Sequence, residues 1–186
     1  MNARDARALI ADAIPQPGGT WADLGAGDGT FTRALVDLLG PGGRLHAVDR
    51  DASAVASIAT WASRQAPNVT AVVGDVTNEL DIPGLRSLDG MLLANVLHFV
   101  RDADAVLTRL VGHLRSGGRA VIVEYDRRAA SRWVPYPIPP TRLAELARSA
   151  GLSPPRITAT RPSMYGGTLY AAIAEKPDDE VRPKGP

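Results

Sequence analysis

Apolar residues recur along this chain with two periods that take turns. Ala6, Leu9, Ile10 and Ala13 share one face of a helix predicted over residues 3–14, which Pro15, Pro17, Gly18 and Gly19 end. A short apolar run, Thr20 to Leu24, closes in glycines, and Phe31, Leu35, Leu38 and Leu39 then return at helical spacing until Gly40-Pro41-Gly42-Gly43. Strand, loop and helix follow in that order. The unit repeats: Leu45 to Val48 as strand, Ala52 to Ser63 as helix, Val69 to Val73 as strand, with a short helix or turn after Asn78. Met91 to Ala94 is a wholly apolar strand, Ala103 to Leu114 a helix stopped at Gly117-Gly118, and Arg119 to Glu124 a fifth strand. Runs apolar at every position fit strands buried on both faces, so the alternation predicts a parallel sheet with helices on either side and right-handed crossovers.

The rhythm breaks after Tyr125. Asp126 to Pro140 holds four prolines, Arg127, Arg128, Trp133 and Tyr136 with no periodicity, and reads as a lid-like loop or a mobile surface connection. Thr141 to Ser149 reads as a helix, and Arg156 to Arg161 and Thr168 to Ala174 as strands joined by a turn at Ser163 to Gly167, hence antiparallel. From Lys176 the chain is charged and lacks an apolar pattern, so residues 1–175 are expected to form one domain and 176–186 a flexible tail.

Composition narrows the function classes. The 186 residues suffice for one domain with a sizeable core, and 45% hydrophobic with 22% charged residues is the balance of a folded protein. A formal net charge of +1, with arginines dispersed along the chain, offers no electrostatic footprint for nucleic acid, and none is expected as partner. Without cysteine there are neither disulfides nor thiolate metal sites, and His46, His98 and His113 are not at ligand spacing, so no metal is expected. No membrane span and no signal-like apolar run is present, which makes the cytoplasm the expected location.

The chemistry gathers at the ends of the predicted strands. Asp23-Leu24-Gly25-Ala26-Gly27-Asp28-Gly29 joins the first strand to the next helix, where backbone N–H groups and the positive helix end face the crevice at the sheet's carboxyl edge. Its spacing is G-x-G-x-G. The dinucleotide fingerprint G-x-G-x-x-G would need glycine where Thr30 stands. Asp23 and Asp28 also put negative charge where a pyrophosphate would sit, which opposes a phosphate and favours a cation. Asp49, at the tip of the second strand, can accept both hydroxyls of a ribose; capping the next helix is its other reading, a role open to Asp51 as well. Asp75 in Gly74-Asp75-Val76 can accept from an adenine amino group or serve as a turn residue, and Asn95-Val96-Leu97-His98 follows the fourth strand beside the switch point of the sheet.

Taken in order, these segments, together with Leu114-Arg115-Ser116-Gly117-Gly118-Arg119, resemble the class I S-adenosylmethionine-dependent methyltransferases over residues 21–175. The resemblance implies a three-layer, doubly wound α/β fold on a seven-stranded, mostly parallel sheet, ordered 3-2-1-4-5-7-6 with strand 7 antiparallel. It implies S-adenosyl-L-methionine as cofactor, with S-adenosyl-L-homocysteine as product. It also implies a cofactor site of Asp23, Gly25, Ala26, Gly27, Asp49, Arg50, Asp75, Val76 and Asn95. In that site Asp23, Gly25 and Gly27 meet the methionine moiety, Asp49 the ribose, Arg50, Asp75 and Val76 the adenine, and Asn95 makes a backbone contact.

A sulfonium donor is already activated, so positioning supplies much of the catalysis and few catalytic residues are needed. His98 is the candidate general base for a hydroxyl or amine acceptor, since imidazole ordinarily titrates near neutral pH; packing in the helix start is its competing reading. Glu124 and Tyr125 stand behind it as candidates. Trp133 and Tyr136 either line the pocket or anchor their loop, and Arg127, Arg128 and Arg132 either meet an anionic acceptor or are solvated. The Asn/Asp-Pro-Pro-aromatic run of enzymes that methylate amino groups of adenine or glutamine is absent at Asn95 to His98, so a small-molecule acceptor is expected. A homodimer is compatible with this reading. The alternatives are an NAD(P)-binding Rossmann oxidoreductase, opposed by the glycine spacing and the lack of a Tyr-x-x-x-Lys pair, and a non-catalytic S-adenosylmethionine-binding protein.

Overall fold

A computed structural model describes residues 1–14, 16–80, 82–126, 129–163 and 165–178. Seven strands, β1 Gly19–Leu24, β2 Gly43–Asp49, β3 Val69–Val73, β4 Leu88–Ala94, β5 Leu114–Asp126, β6 Arg156–Pro162 and β7 Thr168–Glu175, form one sheet in the order β3-β2-β1-β4-β5-β7-β6. Neighbours from β3 through β5 are parallel, and β7 runs antiparallel to both β5 and β6. This is the fold class expected from the sequence. Because β7 is antiparallel, pairing Asp126 with Thr168, the β6–β7 turn lies at the same sheet edge as the carboxyl ends of β1 to β5.

Period-two alternation splits the core into the two layers that sandwich the sheet. Ala22, Leu24, Met91, Leu93, Ala120 and Ile122 face the helices α4 Ala103–Val111 and α5 Pro140–Ser149, meeting Leu107, Leu110, Leu143 and Leu146. Trp21, Leu92, Val121 and Val123 face α1 Ala3–Ile10 and α2 Thr30–Leu39, meeting Leu9, Ile10, Phe31 and Leu35. The remaining helix, α3 Ala52–Gln65, packs Ile58 on Ala47. Gly90, mid-strand in β4, has the Trp21 indole where a side chain would be, and this close approach explains a glycine inside a buried strand.

Two sequence expectations shift. The helix read as Ala103 to Leu114 ends at Val111, because Gly112 caps it, donating to Arg109 O at 3.0 Å. Gly117 and Gly118 therefore do not stop a helix. They lie in a bulged start of β5, where the pairing jumps from Leu88↔Leu114 to Gly90↔Arg119. α1 gives way at Ala11–Ala13 to a 3₁₀ turn, and of the two readings after Asn78, helix or turn, the described residues form a turn, with Leu85 N donating to Ile82 O at 3.0 Å.

Residues 129–140 are pinned to the body. Val134 and Ile138 are buried, Tyr136 N donates to His98 O at 2.9 Å, and the Tyr170 hydroxyl donates to Ile138 O at 2.6 Å. No helix among the described residues is long and apolar enough to cross a membrane.

Candidate functional site

The loop after β1 is held against the end of β2 by backbone geometry. Gly25 N and Ala26 N both donate to Val48 O, at 2.8 and 3.0 Å, and Gly27 N donates to Asp49 Oδ2 at 2.8 Å. Gly25 has φ +85°, and a Cβ there would come 2.5 Å from Val96 Cγ2, so this position admits only glycine. Gly27 is the opposite case: nothing lies within 4 Å of where its Cβ would be, and the backbone faces open space. Asp28 Oδ1 accepts from Thr30 N at 2.9 Å and so satisfies the start of α2.

Two cavities meet at this loop, sharing Gly25 and Asn95 as walls. The smaller, about 290 Å³, is lined by Asp49, Arg50, Asp75, Val76 and, beyond the residues expected, Thr77 and Phe99. The larger, about 660 Å³, is lined by Asp23, Ala26, Gly27, Tyr125, Arg161 and Leu169 among others. All nine residues expected to hold the cofactor thus line these two adjoining cavities. Phe99 carries a signal that sequence spacing does not: it is a large apolar side chain left 53% exposed, and its ring lines the smaller cavity.

The competing structural roles can now be assigned. Asp51 caps α3, its Oδ1 accepting from Ser53 N and Ala54 N at 2.8 and 3.3 Å, which leaves Asp49 to the glycine loop and the crevice. Asp75 does both jobs: its Oδ1 accepts from Thr77 N and Thr77 Oγ1 at 2.9 and 2.7 Å while the residue lines the smaller cavity. Those two hydrogen bonds hold its carboxyl below the usual range.

Asp23 and Asn95 are the chemically unfinished residues. Asp23 is 1% exposed; its Oδ2 accepts from Thr32 Oγ1 at 2.6 Å, and its Oδ1 has no hydrogen-bond partner among the described residues. Burial, reinforced by the nearby Asp49 and Asp28 carboxylates and opposed by the Thr32 hydroxyl, pushes its pKa up to about 7. Asn95 Oδ1 is likewise buried and unpartnered, on a residue with φ +58°. An unmade hydrogen bond at a buried acceptor is destabilising by about 1–3 kcal/mol, and both residues border the larger cavity.

His98 is placed elsewhere. It lines neither cavity, is 2% exposed, and its Nδ1 lies 2.6 Å from Oε2 of the fully buried Glu124, whose Oε1 also accepts from His98 N at 3.2 Å. Consecutive strand residues point to opposite faces, which sends Glu124 inward to His98 and Tyr125 to the larger cavity. Trp133 is 64% exposed and, like Tyr136, lines neither cavity; Tyr136 accepts from Arg101 Nε at 3.1 Å. Arg127 and Arg128 lie outside the described residues. The cover over the larger cavity comes instead from α1 and the β6–β7 hairpin, bridged by the Asp5–Arg161 ion pair at 2.9 Å. Among the described residues no group of three or more His, Asp or Glu is arranged to hold a metal ion.

A family model for a methyltransferase domain matches residues 22–120. A ribosomal RNA small subunit methyltransferase H from Trichlorobacter lovleyi is 32% identical over 91 residues, which is 47% of this chain and 29% of that protein. The chain therefore matches less than a third of the length of that curated relative. Among solved structures, a SAM-dependent methyltransferase from Aquifex aeolicus superposes with a TM-score of 0.74 at 16% identity, covering 92% of this chain and 89% of that one. A Burkholderia thailandensis 1,6-didemethyltoxoflavin-N1-methyltransferase, solved with 1,6-didemethyltoxoflavin and S-adenosylhomocysteine bound, gives 0.73 at 25% identity, covering 95% and 78%.

Proposed function

Since the chain belongs to the methyltransferase-domain family, we propose that it is an S-adenosylmethionine-dependent methyltransferase that modifies a small molecule. The observation that carries the reading is the buried Asp23 carboxyl on the wall of the larger cavity beside the glycine loop, with its Oδ1 unpartnered among the described residues. A carboxylate so placed calls for a cation, and the cofactor's methionine end offers an ammonium. The residues fit the cofactor in their chemistry along the whole crevice. Asp23, Gly25, Ala26 and Gly27 hold the methionine end, Asp49 the ribose, and Arg50, Asp75 and Val76 the adenine, with the Phe99 ring as a stacking face. Bound there, the cofactor supplies a methyl group on a sulfonium sulfur, which an acceptor lone pair takes as the carbon–sulfur bond breaks to leave a neutral thioether.

The acceptor belongs in the remainder of the larger cavity, between Phe31, Tyr125, Leu169 and the Asp5–Arg161 bridge. About 660 Å³ lies within the range of small-molecule sites, and it must hold the cofactor's methionine end as well, so the acceptor is small. The relatives that act on ribosomal RNA support a second reading, an RNA acceptor. Against it stand the net charge of +1 and an Arg161 already paired with Asp5.

Isothermal titration calorimetry is the test. Binding of S-adenosylmethionine and S-adenosylhomocysteine with no heat from NADH is expected; NADH binding alone would overturn the assignment. Methyl transfer from labelled cofactor, offered in parallel to a metabolite extract and to ribosomal RNA, separates the two acceptor classes.

A further inference from the structure

At the opposite edge of the sheet, its amino edge, one face turns polar. Thr20 pairs in register with Arg44, and His46 with Thr70, and the period-two alternation puts all four on the same face of β1, β2 and β3. Toward the carboxyl edge that face carries Ala22, Leu24 and Val48, all in the core. Parallel strands are ordinarily apolar on both faces, so an inward row that includes an arginine marks a place the core does not fill. A cavity of about 750 Å³ opens there, walled by these four residues and by Gly84 and Arg86 of the segment between β3 and β4. Gly84 closes tightly over the floor: a Cβ on it would lie 3.1 Å from His46 Cε1.

The charge of this space is the reverse of that at the carboxyl edge. Asp5, Asp23 and Asp28 line the larger cavity there, and Asp49 and Asp75 the smaller, whereas among the described residues no carboxylate lines this one. Arg115, Arg119, Arg142 and Arg161 each pair with an acid, yet Arg44 and Arg86 form no ion pair among the described residues. His46 Nδ1 is buried with no hydrogen-bond partner among them. Burial holds that ring below its usual pKa range, so it is neutral and has one N–H to donate.

Two guanidinium groups, an imidazole and two hydroxyls thus line one space from three strands and a loop. A planar carboxylate uses donors lying near its own plane, whereas a tetrahedral phosphate presents oxygens on several sides, and its second charge answers the second arginine. We propose that the amino-edge cavity binds a phosphate monoester, held by Arg44 and Arg86, at a site separate from that of methyl transfer. The volume leaves room for the organic part of the ester. Arg44 and Asp49 stand at opposite ends of β2, roughly 16 Å apart at about 3.3 Å per residue, so the ester and the methyl donor do not compete.

Calorimetry on the full chain with glycerol 3-phosphate, and with malonate as a dicarboxylate of equal charge, tests this. Saturable binding of glycerol 3-phosphate is expected, at least about ten-fold tighter than malonate. Arg44→Ala and Arg86→Ala should each weaken it by at least about ten-fold, while Arg148→Ala, which removes an exposed arginine of α5, should change it by less than about two-fold. Both cavity arginines are exposed, so Tm should hold in their variants. In NMR spectra the His46 ring resonances should shift on adding the ester and those of His98 should not. Absence of binding overturns the proposal, as does malonate binding equally well. Equal weakening by all three arginine variants also overturns it, since binding would then follow net charge. So does competition with S-adenosylhomocysteine, which would put the ester at the carboxyl edge.

Discussion

His98 Nδ1 lies 2.6 Å from Glu124 Oε2, with the His98 ring 4.3 Å from that of Phe99 and 6.0 Å from that of Tyr125, centroid to centroid. Phe99 lines one cavity and Tyr125 the other, so this buried pair sets the positions of both walls without touching either space. Removing one partner leaves the other buried and unpaired, which is destabilising by about 3–5 kcal/mol. His98→Ala and Glu124→Ala are each expected to lower Tm by roughly 6–20 °C, at about 2–4 °C per kcal/mol, as read by thermal denaturation. Their double variant should lose less than the sum, since the second removal relieves the orphan left by the first. A general base would behave otherwise: Tm would hold while methyl transfer collapsed.

Asp23 makes stability depend on pH in a direction opposite to that of ordinary carboxylates. Its folded pKa of about 7 stands above the free value of 3.8, so between those limits the folded chain keeps a proton that the unfolded chain has released. Stability from this residue is full below about pH 4 and is lost as pH rises through about 7. Asp23→Asn, which cannot ionise, should therefore be more stable than the parent at pH 8 and differ little near pH 4. For S-adenosylmethionine the order reverses: affinity in the parent should rise from pH 6 to pH 8 as the carboxylate forms, and the variant should bind weakly throughout. Denaturant titrations and calorimetry, each at its pair of pH values, check both halves.

Asp49 is shared between the fold and the crevice. Its Oδ2 holds Gly27 N and its Oδ1 holds Asp51 N, so truncation loosens the glycine loop as well as removing a hydrogen-bond acceptor for a ribose. Asp49→Ala is expected to weaken S-adenosylhomocysteine binding by about 10- to 100-fold, or roughly 1.4–2.8 kcal/mol. Tm should fall by no more than a few degrees, because α3 keeps its own cap at Asp51. Undiminished affinity in calorimetry would remove Asp49 from the site.

What was legible in the sequence follows from what has a short-range cause. Apolar runs such as Met91 to Ala94 and glycine turns such as Gly25 to Gly29 announce buried parallel strands and their crossovers, and Asp23, Asp49, Asp75 and Asn95 reach the cavities because parallel strands end at one edge. The end of α4 was misjudged because three glycines, Gly112, Gly117 and Gly118, compete within seven residues and local pattern does not rank them. The cover of the larger cavity was missed for a topological reason. Arg161 and Tyr165 are distant in sequence from the glycine loop and reach it because β7 is antiparallel and returns the β6–β7 turn to the carboxyl edge. His98 is a candidate by residue type and by its place just after β4, whereas its partner Glu124 is 26 positions away and is visible only once β4 and β5 are paired.

Gly25 and Val96 give the sharpest steric test. A methyl on Gly25 would sit 2.5 Å from Val96 Cγ2, well inside contact distance, on a backbone at φ +85° that disfavours any side chain. Gly25→Ala therefore carries two separate penalties, a clash and a strained dihedral of about 1–2 kcal/mol, and should lower Tm by more than 5 °C, at about 2–4 °C per kcal/mol, and abolish S-adenosylhomocysteine binding. Trimming the neighbour removes the first penalty and leaves the second. Gly25→Ala combined with Val96→Ala should thus recover part of the lost stability, a favourable coupling between the two sites of the order of 1 kcal/mol in a double-mutant cycle. Strict additivity would mean that the loop yields to the methyl by moving as a whole, and that Val96 does not fix its height above the sheet.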